Sequence, residues 1–180
     1  MRKRYLLIAG GIDRKGIVYN LTNLLKQFNF NIEDSSMVML RRTFSIIMLL
    51  TSLSKINEEI FQKKLCDFMN KFNMTLDIKE ISEKEMKEYR PSSTYIITIS
   101  GADKPGIVNI ITGIILKKGG NIVGLDTKSS ENVKPHAYYM IIEVDFPEKL
   151  NIEVLNNDLR KAGKKIGVSV NINKIEKDIL

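Results

Sequence analysis

Residues 5–18 read Tyr-Leu-Leu-Ile-Ala-Gly-Gly-Ile-Asp-Arg-Lys-Gly-Ile-Val, and residues 95–108 read Tyr-Ile-Ile-Thr-Ile-Ser-Gly-Ala-Asp-Lys-Pro-Gly-Ile-Val. The same statement is made twice, which divides a chain of 180 residues into two similar units rather than one large domain. Each copy is an apolar run, a glycine-containing turn centred on an aspartate, and the first turn of an amphipathic helix. Units of about 80 residues bury only about 60 to 65% of their unfolded surface, so each is expected to lean on its neighbour or on another chain.

The rest of each copy follows from periodicity. In copy one, residues 5–9 form a strand bounded by Gly10 and Gly11, and Ile17, Val18, Leu21, Leu24, Leu25 and Phe28 recur at the spacing of one helix face. Asn29 can take the left-handed conformation that stops this helix, and Gly119 stands at the same place in copy two. A long strand is expected from Asn31-Ile32, then a hairpin from residues 37–40 through Arg41-Arg42-Thr43 into residues 44–50. Ser54 is the expected cap of a second helix carrying Phe61, Leu65, Phe68 and Phe72 on one face, and Leu76 and Ile78 mark a last strand. Leu155, Leu159, Ala162 and Ile166, then Val170 and Ile172, answer these positions in copy two at a larger offset. The extra residues are placed in a longer hairpin tip at 129–135.

A polar, proline-stopped stretch at 83–93 reads as a linker between a first domain at 1–82 and a second at 94–180. Strand, helix, strand, strand, helix, strand is the ferredoxin-like α+β arrangement, a four-stranded antiparallel sheet with two helices on one face. Many functions share it, so the turn must decide. Gly11-Ile12-Asp13-Arg14-Lys15-Gly16 and Gly101-Ala102-Asp103-Lys104-Pro105-Gly106 join a strand end to a helix start, where free N–H groups and a partial positive charge can receive a carboxylate. Gly16 and Gly106 let a ligand approach the backbone, and Pro105 costs nothing at a helix start. Asp13 or Asp103 can hold an ammonium, and the two halves together describe an α-amino acid site. The alternative is that each aspartate only caps its helix.

The pattern Asp-Arg/Lys-x-Gly-Ile-Val, a helix, then Asn-Ile resembles the ACT domain, a βαββαβ module that senses amino acids. The segments Asp13-Arg14-Lys15-Gly16-Ile17-Val18 and Asn31-Ile32-Glu33-Asp34-Ser35 are similar to the family of tandem-ACT transcriptional repressors of the glycine cleavage system, over nearly the whole chain. This resemblance implies ligand contacts at Asp13, Gly16 and Asn31 in copy one and at Asp103, Pro105, Gly106 and Asn121 in copy two. It implies a small effector such as glycine or serine, and action through a protein partner such as a transcriptional activator rather than on DNA directly. Lys15 stands where the family has proline, and Val123-Gly124 replace Glu33-Asp34. Unequal sites are therefore expected, with the turn at Asp103 the better one.

Other chemistry finds little support. A net charge of +7 is spread over scattered basic pairs, without the stripe that a nucleic-acid binder shows. Cys66 and His136 have no metal or nucleophile partner near them in sequence, and Tyr138-Tyr139 lack the flanking signature of an RNA-binding sheet. An acylphosphatase would want an arginine cradle that copy two lacks. The expectation is a regulator without catalytic residues, cofactor or metal, a homodimer or tight pseudo-dimer of its two domains. It carries no membrane span, and its single cysteine points to the cytoplasm. The alternative reading is a regulatory subunit of a metabolic enzyme.

Overall fold

The computed structural model describes residues 3–52, 54, 56–82, 84–85, 93–130, 136–146 and 150–175. The chain divides between residues 88 and 89 into two compact units. Most of the expected linker at 83–93 lies outside the described residues, as do residues 131–135 of the expected longer hairpin.

Unit 1 contains β1 (Lys3–Ile12), α1 (Ile17–Gln27), β2 (Phe30–Leu40), β3 (Thr43–Ser52), α2 (Glu58–Phe72) and β4 (Met74–Ile81). Unit 2 repeats the order with β5 (Ser93–Ala102), α3 (Ile107–Lys117), β6 (Asn121–Ser130), β7 (Ala137–Phe146), α4 (Ile152–Ile166) and β8 (Val168–Ile175). The sheets are ordered β2-β3-β1-β4 and β6-β7-β5-β8, with every pairing antiparallel. This is the ferredoxin-like fold, twice.

Alternation decides which face is covered. Leu7 and Ala9 of β1 and Phe44, Ile46, Met48 and Leu50 of β3 are buried in one cluster with Leu21 and Leu25 of α1 and Phe61, Leu65 and Phe68 of α2. Ile8 and Ile47, one residue out of step and opposite each other, are exposed on the far face. Both helices thus lie on one face of each sheet. In unit 2 the same work is done by Ile97, Ile99, Met140, Ile142, Ile111, Ile115, Leu155 and Leu159.

Several boundaries differ from those the pattern suggests. β1 runs on through Gly10 and Gly11, because both residues have ladder partners on β3 and on β4. Asn29 (φ 56°) and Gly119 (φ 75°) do take the left-handed conformation after their helices. Ser54 does not cap α2. Asn57 does, its side-chain oxygen accepting from the Ile60 N–H at 3.1 Å, and Asn151 accepts from Val154 N–H at 3.1 Å in the same way. Asn57→Ala and Asn151→Ala should each lower stability by about 1 kcal/mol, read as a shift in the urea midpoint at unchanged slope. The hairpin after β2 is two residues long and the one after β6 is six, so the four extra residues do fall at that tip.

One core exchange escaped the pattern. In unit 1, Phe30 stands opposite Ser52 and meets the Tyr5 ring edge-on at 5.2 Å. At the matching positions of unit 2 stand Gly120 and Phe146, and Phe146 meets Tyr95 edge-on at 5.7 Å. The aromatic volume beside the tyrosine is kept, but it comes from the other strand.

Candidate functional site

Two helices of each unit begin differently. α2 and α4 have their asparagine caps and acidic residues, Glu58, Glu59 and Glu153, in the first turn. α1 and α3 begin at Gly16 (φ 90°) and Gly106 (φ 92°), with no side-chain cap and no acid in the first turn. Their first amides and the positive end of the helix dipole are therefore left without a side-chain partner at the β1–α1 and β5–α3 turns. A left-handed φ of this size suits glycine, and open space surrounds the position a Cβ would take at Gly106. Asp13 and Asp103 do not cap these helices, since each lies three residues ahead of the glycine that holds the cap position.

A backbone bond fixes each turn against the nearby hairpin. The Asp13 N–H donates to the Arg42 carbonyl at 2.8 Å, and the Asp103 N–H to the His136 carbonyl at 2.9 Å. The carboxylates differ. Ser129, on β6, donates its hydroxyl to Asp103 Oδ2 at 2.7 Å, whereas Met39 occupies the matching position in unit 1. Among the described residues the exposed Asp13 carboxylate has no such partner. Lys104 donates from Nζ to the Ile166 carbonyl at 3.0 Å, which ties the second turn to the last turn of α4, a favourable end for a cation. In unit 1 the Asn20 side chain instead donates from Nδ2 to the Gly16 carbonyl at 2.8 Å. Burial, and then the charge of Asp103, pushes the Tyr138 phenol above its ordinary value, so it stays protonated beside that turn.

Asn31 and Asn121 lie elsewhere. Asn31 stands opposite Thr51, which pairs with Arg4 at the start of β1, while the turn follows Ile12 at the end of β1. Asn121 stands opposite Asp145, which pairs with Thr94 at the start of β5. Eight residues of strand separate the two ends, about 27 Å. The helix carries the chain back to the sheet's starting end before β2 or β6 begins, so a single unit never offers its aspartate and its asparagine to one small molecule. The structure brings together Asp13 with Gly16, and Asp103 with Pro105 and Gly106. An open groove beside Asn121 runs along α3, lined by Asn109, Thr112, Gly113 and Leu116.

Ser129 and Lys104 are the residues that sequence reasoning passed over. A hydroxyl at 129 against a methionine at 39 was visible in the repeat, but its meaning depends on β6 ending beside the turn. His136 serves through its carbonyl, with its ring Nδ1 3.2 Å from the Ser130 carbonyl. Cys66 is exposed on α2. Tyr138 is buried and its neighbour Tyr139 exposed. Among the described residues no group of three or more His, Cys, Asp or Glu side chains could hold a metal ion, and no helix is long and apolar enough to cross a membrane.

The family model of the ACT domain matches residues 4–79 and again residues 93–173. A UPF0237 protein of Methanococcus maripaludis is 35% identical over 78 residues, covering 43% of this chain and 82% of the relative. Among solved structures, an unknown protein from Galdieria sulphuraria superposes with a TM-score of 0.79 at 24% identity, over 98% of this chain and 100% of that one. A provisionally assigned glycine cleavage system transcriptional repressor superposes with a TM-score of 0.71 at 19% identity, over 98% and 99%.

Proposed function

The chain belongs to the ACT domain family, twice over, and from that premise we propose that it is a non-catalytic regulatory protein whose effector is a small α-amino acid bound at the β5–α3 turn. The observation that carries this reading is the bare helix start at Gly106 beside the Asp103 carboxylate, in a unit whose other helix, α4, is capped by its own Asn151. Amides at the helix start suit the effector's carboxylate, and Asp103 suits its ammonium. Pro105 and Gly106 keep the backbone preset and open to close approach. Asp13 and Gly16 offer a second, weaker site of the same design. Asn31 and Asn121 remain proposed contacts, but to a ligand other than the one at their own unit's turn.

The regulated process is proposed to be the transcription of glycine or one-carbon metabolism genes, reached through a protein partner such as a transcriptional activator. Support comes from the tandem arrangement, which the provisionally assigned repressor shares along its whole length. A reducing cytoplasm suits the lone exposed thiol of Cys66. Calorimetric titration of the full chain with glycine, serine and the remaining amino acids tests the effector. Saturable binding of one or a few of them is the expected result, and no heat from any member of the panel sinks the reading.

A further inference from the structure

The two helices of each unit meet along a seam, and the repeat treats the two seams differently. In unit 1 the seam is plugged. Phe68 of α2 is buried at 7% exposure with its ring 4.8 Å from that of Phe72, and Asn20 of α1 turns back to the Gly16 carbonyl. At the matching places of unit 2 stand Ala162, Ile166 and Ile110, so a methyl group replaces a ring. What remains is an open groove between α3 and α4, lined by the apolar Ile110, Ala162 and Ile166 and by the charged Asp158, Lys161 and Lys165.

The charge changes with the shape. Residues 160–166 carry four bases and no acid, whereas the matching residues 66–72 carry Asp67 and Lys71, with Lys71 lying 5.3 Å over the Phe72 ring. A favourable helix end accounts for a base in the last turn, since α1, α2 and α3 each place one lysine there. It does not account for Arg160 and Lys161, which lie in the turn before. Asp158 is already engaged, because Lys118 bonds it at 2.8 Å and ties the far end of α3 to α4. Lys161 and Lys165 form no ion pair among the described residues. The groove also adjoins the β5–α3 turn, whose Lys104 donates to the carbonyl of Ile166.

We propose that this groove is where the regulator's protein partner docks and that the docked segment is an acidic amphipathic helix, an inference that rests on the chain acting through a protein partner but not on its having an effector. One apolar side chain of that helix enters the space above Ala162, against Ile110 and Ile166. Its carboxylates at neighbouring turns reach Lys161 and Lys165, which stand four residues apart and so on one face of α4. A helix fits the seam better than an extended strand, because two helices offer side chains there and no unpaired main-chain groups. A nucleic acid is the poorer fit, since the apolar residues between the lysines offer its phosphates nothing. Unit 1 has neither the space nor the charge, so one seam of two is used.

Fluorescence anisotropy of the full chain with a labelled synthetic helix, in the absence of amino acids, tests this. The probe carries leucines at helical spacing on one face and glutamates on the others, and a second version has every leucine replaced by alanine. Saturable binding of the leucine probe is expected, with the alanine version weaker by about tenfold. Ala162→Phe, which restores the ring that unit 1 carries, should weaken the leucine probe by about tenfold while circular dichroism stays native. Lys161→Glu with Lys165→Glu should weaken it as much, whereas Lys63→Glu with Lys64→Glu, the same change of net charge on α2, should leave it unchanged. Absent binding, equal binding of the two probes, an affinity that Ala162→Phe or the α4 pair leaves untouched, or an equal loss from the α2 pair overturns the proposal. So does a plain DNA duplex that displaces the probe. The amino-acid titration stands or falls separately, since it reads the turn and not the groove.

Discussion

Gly120→Phe is expected to unfold the second unit, and adding Phe146→Ser to refold it. A Cβ at Gly120 would lie 2.6 Å from Ile115 Cγ2 and 2.6 Å from Phe146 Cε1, far inside contact distance. A whole phenyl ring forced into that space costs upward of about 3 kcal/mol. Phe146→Ser alone empties the place of a buried ring against Tyr95, a loss of about 3 to 5 kcal/mol by comparison with Phe→Ala in other cores. Together the changes recreate the arrangement that Phe30 and Ser52 already hold in unit 1, and most of both losses should vanish. Urea unfolding followed by circular dichroism reads the result. If the double variant is no more stable than the worse single one, the two units do not share an exchangeable core position.

Asp103→Ala should weaken binding of the amino acid identified in the titration panel by about thirtyfold, the equivalent of about 2 kcal/mol for a lost charge-assisted hydrogen bond. Ser129→Ala should weaken it less, since the carboxylate then stays but loses the hydroxyl that orients it at 2.7 Å. Asp13→Ala should change the strong site little. The Asp103 carboxylate also accepts that hydroxyl in the free protein, so its removal costs about 1 kcal/mol of stability, and thermal unfolding must accompany the calorimetry. Unchanged affinity in Asp103→Ala would remove the turn from the binding site while leaving an effector possible elsewhere.

Much of the architecture was written in the sequence because the chain repeats itself, and each copy checks the other. The helices of unit 1 were legible from Leu21, Leu25, Phe61, Leu65 and Phe68, since a 3.6-residue period survives any tertiary arrangement. The length of β1 was not, because Gly10 and Gly11 look like a strand's end until β3 and β4 are known to flank them. Ser54 and Asn57 are both acceptable caps in one dimension, and only the path of the chain between β3 and α2 decides. The turn's chemistry was legible at Asp103, Pro105 and Gly106, which are neighbours in sequence. Its support by Ser129 and Lys104 was not, because those contacts span 26 and 62 residues.

The backbone bond that closes each hairpin against its turn sits at the hairpin's base, from Asp13 to Arg42 in one unit and from Asp103 to His136 in the other. Four additional residues beyond that bond leave its length at 2.9 Å against 2.8 Å. Hairpin length is thereby mechanically uncoupled from the turn. An insertion into the connection between β6 and β7 is accordingly expected to leave the bond from Asp103 to His136 in place.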